Sequence, residues 1–197
     1  MRALYTAGTA CILAFLGTIA WQSMISTAPT VVSVRTHTPS TGPQPATSGP
    51  SWFQAAKPYC NSLEVETRLQ SVPPPAVEGA AGWMAACYAL AGKIDAARTL
   101  ISELPASDRG RAAGIVFQVG HPVADAGDDE SAGPIMELVL EFWPQNYMAR
   151  YHAGMSAYIL GQHTRATEHL ARFLEDYHQN DGWTRNAKTV LSRLEQS

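Results

Sequence analysis

Residues 85–104 read AACYALAGKIDAARTLISEL, residues 120–139 read GHPVADAGDDESAGPIMELV, and residues 154–173 read GMSAYILGQHTRATEHLARF. Set one above another, the three stretches keep five columns. A small residue opens each one (Ala85, Gly120, Gly154), and a glycine follows seven residues later (Gly92, Gly127, Gly161). Five residues beyond each glycine stands an alanine (Ala97, Ala132, Ala166), and four further on a large apolar residue (Ile101, Met136, Leu170). Three more residues bring Leu104, Val139 and Phe173. Alanine is abundant in this chain, so one column alone says little. Five columns holding register three times, with glycines 35 and 34 residues apart, mark a repeat.

Each repeat is helical by its apolar spacing. Ala80, Trp83, Met84, Cys87 and Ala91 lie on one face of a 3.6-residue helix, and Ile94, Ala97, Ile101 and Leu104 form a second stripe after Gly92. A third stripe starts near Asp108, and a fourth opens at Ser131, the residue expected to cap it. Tyr147, Tyr151, Met155 and Tyr158 mark a fifth, Ala166, Leu170, Phe173 and Tyr177 a sixth, and Trp183 to Leu194 a seventh. No alternating run with hairpin turn chemistry is present. The fold class is all-α.

The columns resemble those of the tetratricopeptide repeat family, whose pattern is W-x2-L-G-x2-Y, then A-x3-F, then P. Tyr88, Ala97 and Ile101 stand at the family's Tyr, Ala and Phe in the first repeat. Val119-Gly120, Ala132 and Pro144 match in the second, and Gly154, Ala166 and Leu170 in the third. The opening Trp is missing from every copy, and Pro122 falls inside the first helix of the second repeat, where it is expected to kink or end that helix near His121. The resemblance implies three antiparallel helix pairs over 78–178 that form a superhelix, an N-terminal cap over 51–77 and a solvating helix over 181–196. The cap should include a helix over about 61–71, opened by a capping box at Asn61 and Glu64 and anchored by Leu63, Val65 and Leu69. It also implies a protein partner held on the concave side lined by first helices, where Phe117, His121, Tyr151, Met155 and Tyr158 would lie. Such a groove is aromatic and sulfur-rich and suits an apolar peptide or helix. The alternative is that these side chains only fill the space between helices.

The first fifty residues are a different material. They contain Arg2 and Arg35 and no acid, whereas 51–197 carry 12 bases against 17 acids, a net of −5. Ala3 to Val34 is uncharged, and its first 19 residues would span about 28 Å as a helix, close to the thickness of a hydrocarbon core. Residues 1–27 are therefore expected to be a single transmembrane anchor with its N-terminus cytoplasmic. A cleaved signal peptide, with a mediocre site at Thr18-Ile19-Ala20, is the rival reading, and secretion would follow from it. Residues 28–50, rich in Pro, Thr, Ser and Gly, read as a disordered tether. Either reading places 51–197 outside the cytoplasm, in the periplasm if the anchor stays. Cys11 lies in the apolar segment, which leaves Cys60 and Cys87 as an even pair in an oxidising compartment. A disulfide between them would staple the cap to the first repeat; two unpaired core thiols are the alternative.

Chemistry is sparse. The chain has no nucleotide-binding glycine loop, no HExxH and no nucleophile elbow. A sequence pI near 6.0 argues against a nucleic-acid binder that works by phosphate neutralisation. His121 with Asp125, Asp128, Asp129 and Glu130 could ligate a hard cation, but acids ahead of a helix more simply complement its positive end. His152, His163, His169 and His178 read as solvated helix surface. The expectation is therefore a non-catalytic interaction scaffold or adaptor, with no cofactor and no metal. The alternatives are a metal-dependent hydrolase or metal-binding protein that uses His121 and the Asp125–Glu130 loop, and a structural domain that forms homo-oligomers.

Overall fold

A computed structural model describes residues 48–196. The expected anchor at 1–27 and all but the last three residues of the tether lie outside the described residues. Among the described residues no helix is long and apolar enough to cross a membrane. The described chain is helical, with no strand: α1 (Gly49–Ala56), a 3-10 turn (Lys57–Tyr59), α2 (Val65–Ser71), α3 (Ala80–Leu90), α4 (Ile94–Ser102), α5 (Ala106–Asp125), α6 (Asp129–Phe142), α7 (Tyr147–Ile159), α8 (His163–Asp176) and α9 (Gly182–Leu194).

Three helix pairs, α3–α4, α5–α6 and α7–α8, turn on the three glycines of the repeat. Gly92, Gly127 and Gly161 have φ of 73°, 89° and 69°, a left-handed conformation that costs glycine nothing. The N–H after each glycine reaches back five residues: Lys93 to the Tyr88 carbonyl, Asp128 to Val123 and Gln162 to Ala157. That bond closes a Schellman end on α3, α5 and α7. The same three residues then start the next helix with nearly equal backbone angles, φ/ψ of −90/62°, −93/59° and −84/65°. One local device is used three times.

The remaining columns explain how the pairs pack. Ala97, Ala132 and Ala166 are fully buried, as are Ile101, Met136 and Leu170. Burying side chains of the latter size stabilises by about 1.5 to 3 kcal/mol each. The small column sits where helices meet. A Cβ on Gly120 would come within 2.7 Å of Ile135, and one on Gly154 within 2.8 Å of Leu170. Val139 and Phe173 are also fully buried, while Leu104 is half-buried at the end of the first pair. Neighbouring pairs join through α3 against α5 and α6 against α7, and α9 closes the array against α8 and α7.

Several expectations change at the ends of elements. α5 runs through Pro122 to Asp125. The ring occupies the last turn on an exposed side, so only one backbone bond near the helix end is lost. Asp128, not Ser131, caps α6: its carboxylate accepts from the Ser131 N–H at 3.1 Å. α2 begins at Val65, four residues later than expected, although Asn61 and Glu64 do exchange hydrogen bonds in the turn ahead of it. Leu63 in that turn is 89% exposed, so Val65 and Leu69 alone anchor the helix. Gly49 and Pro50, counted with the tether, form the first turn of α1, whose Ser48–Ser51 capping box was not foreseen. α1 supplies the cap with Trp52 and Phe53, both buried; Phe53 packs 5.3 Å from the Trp83 ring, and the Trp52 indole N–H donates to the Val72 carbonyl at 2.9 Å. Cys60 and Cys87 are joined in a disulfide, with their Cα atoms 4.9 Å apart.

Candidate functional site

The first helices of the second and third pairs, α5 and α7, place a row of aromatic and histidine rings beside α9. The Phe117 ring stacks on His121 at 4.7 Å and meets Trp143 edge-on at 6.1 Å. His121 meets His152 at 5.1 Å, and His152 lies 5.1 Å from Tyr151 and 5.6 Å from Trp183. Phe117, His121, Met155 and Tyr158 are half-buried and keep surface for a ligand. Tyr151 does not. It is 4% exposed, wedged between Phe173 and Trp183, and its hydroxyl accepts from the Asn186 amide at 2.6 Å. Burial raises its pKa. Of the five side chains expected to line the concave side, four keep exposed surface, while Tyr151 is buried against Trp183 of α9.

His152 departs furthest from expectation. It is 1% exposed rather than solvated. Its place follows from two caps. Asn146 starts α7 by accepting from the Ala149 N–H at 2.9 Å, which brings His152 onto the face turned towards α5 and α6. Asp128 starts α6, so Asp129 stands at its first position, with its carboxylate 3.0 Å from His152 Nδ1. The carboxylate can only accept, so Nδ1–H donates and Nε2 is turned the other way. There it faces the Asp125 carboxylate at 3.6 Å, and His121 Nε2 faces the same oxygen at 3.4 Å. Neither Nε2 has a hydrogen-bond partner, although both atoms are buried. Burial lowers the pKa of His121, partly opposed by the charge of Asp125.

His121, Asp125 and His152 thus bring three ligand atoms within 4.8 Å of one another. The sequence expectation paired His121 with the acidic loop, but only Asp125 and Asp129 of that loop join the cluster; Asp128 serves as a cap. Of the other histidines, His163 and His178 are exposed as expected, whereas His169 is half-buried with Nε2 3.0 Å from Glu137. Sequence reasoning counted Asp129 among the candidate ligands but placed His152 on the solvated surface and gave Trp183 no part in the site. The available signal was the repeat register itself: His121 and Met155 are equivalent positions, and His152 lies one turn ahead of Met155.

No family model, curated protein or solved structure matches this chain. The row of rings can hold an apolar or aromatic ligand, and the cluster at its centre can hold a cation.

Proposed function

We propose that this chain is a non-catalytic protein-interaction module of the tetratricopeptide kind. It would be carried outside the cytoplasmic membrane on the 28–50 tether and anchored by residues 1–27. One observation supports the reading: the thrice-used glycine turn, with the same backbone angles on either side, which repeats one helix-pair unit three times along the chain. Repeats of this kind present a continuous surface along equivalent helices, and partners use it. The rings of Phe117 and Tyr158 with the Met155 thioether make that surface suited to an apolar peptide or helix. The Cys60–Cys87 bridge supports an oxidising compartment, because structural disulfides persist there. Tethering would raise the effective concentration for a partner in the same envelope.

Photo-crosslinking side chains placed at Phe117 and Tyr158 in the full chain, in native membranes, test this reading. Adducts with a second protein should form from both positions and not from Glu175, on the exposed side of α8. Absence of adducts, or equal adducts from Glu175, would overturn it. Adducts of twice the chain's own mass would favour the oligomerisation domain instead.

A further inference from the structure

We propose that His121 Nε2, His152 Nε2 and the Asp125 carboxylate form a binding site for a zinc ion, with Asp129 holding His152 in place from behind. Two independent observations meet here. The first is convergence: residues from α5 and α7, 27 to 31 positions apart in sequence, bring three donor atoms within 4.8 Å. The second is an unpartnered nitrogen. His152 is 1% exposed, and its Nε2 has no hydrogen-bond partner. A buried polar atom in that state costs roughly 1 to 3 kcal/mol. Asp129 fixes the ring so that this nitrogen points at Asp125, and a cation between them satisfies both at once.

The distances agree with a shared ion. Zinc–nitrogen and zinc–oxygen bonds near 2.0 to 2.1 Å in a tetrahedron put ligand atoms about 3.3 Å apart. Asp125 Oδ1 lies 3.4 Å from His121 Nε2 and 3.6 Å from His152 Nε2. The remaining edge closes by rotation of His121, whose side chain is only half-buried. Asp129 to His152 at 3.0 Å is the carboxylate–histidine arrangement that orients ligating imidazoles and raises their basicity. The Trp183 and Tyr151 rings flank His152 and help keep water away. Two imidazoles favour zinc or its neighbours over calcium or magnesium, which take oxygen. Such an ion would tie α5 to α7 across the ring-lined face. Three protein ligands would leave it one position for water or for a donor atom from a bound partner.

The test uses the untagged full chain, stripped with a chelator and titrated with zinc chloride by calorimetry. One equivalent should bind, and cobalt(II) should give the intense visible bands of a four-coordinate ion. His121→Ala and Asp125→Ala should each weaken binding at least about tenfold, and Asp129→Asn by about 10- to 100-fold. His163→Ala and His178→Ala, at exposed positions, should leave it unchanged. Circular dichroism would establish that His121→Ala, altered at a half-exposed side chain, remains folded. No uptake by the wild-type chain, or equal uptake by folded His121→Ala and Asp125→Ala, would overturn the site.

Discussion

Gly133 of α6 faces Ser156 of α7 so closely that a Cβ on the glycine would overlap the Ser156 hydroxyl and its Cβ. Ser156 is itself 4% exposed and has little room to retreat. This contact joins the second helix pair to the third, and it depends on the absence of one carbon atom.

Gly133→Ala should therefore destabilise the domain by about 1 to 3 kcal/mol, through overpacking. The sign is informative, because alanine is better than glycine in a helix interior by about 1 kcal/mol when space is free. Urea denaturation measures it. Adding Ser156→Gly to the same chain should restore much of the loss, since the overlapping atoms are then gone. A single variant as stable as wild type would mean that α6 and α7 sit further apart.

The disulfide leads to a second prediction. It closes a separation of 27 residues and ties the segment after α1 to the last turn of α3. Replacing Cys60 and Cys87 by Ser should cost about 2 to 4 kcal/mol by releasing the unfolded chain. The cap has a second hold on the array in Trp52 and Phe53, so it should loosen rather than leave. Hydrogen exchange should rise first over 49–76 and later in the repeats. Equal exchange throughout would show that the bridge adds nothing local.

The third prediction concerns alkaline pH. The Tyr177 hydroxyl donates to Asp181 Oδ2 at 2.5 Å, and that bond, with lesser help from burial and charge, pushes the phenol up to about 12. A phenol whose pKa is raised on folding contributes stability that is complete below its ordinary value near 10 and is lost as pH climbs through the folded value. Asp181→Asn keeps a side-chain acceptor for the Thr184 N–H that caps α9 but removes the charge. One tyrosine should then titrate earlier in ultraviolet absorbance, with the helix content unchanged at neutral pH. An unchanged titration curve would show that the bond does not persist in solution.

Much of this architecture was legible because it is local. Gly92, Gly127 and Gly161 announce their turns, since a left-handed residue ending a helix is a property of a few consecutive residues. The alternation of Ala97 with Ile101, and of Ala166 with Leu170, announces a buried face by spacing alone. Element ends were read less well. Ser131 and Asp128 are both good caps by type, and the choice between them depends on where α5 releases the chain. α1 was missed because Trp52, Phe53 and Ala56 form too short a stripe to stand out beside a Pro-rich stretch.

The candidate site divides along the same line. From the residues alone came the helical class, the period, the three turns and the expectation that Cys60 and Cys87 form a pair. Each of these depends on neighbours within a turn or on a simple count. Tertiary structure alone decided that His152 is buried, that Asp129 holds it from behind, and that it shares the Asp125 carboxylate with His121. Those contacts depend on how closely α5, α6 and α7 approach, and the approach is set by the missing side chains of Gly120 and Gly133 together with the volume of neighbours such as Ile135. A histidine on a helix carries no mark of which neighbour it will meet; packing supplies the neighbour, and with it the chemistry.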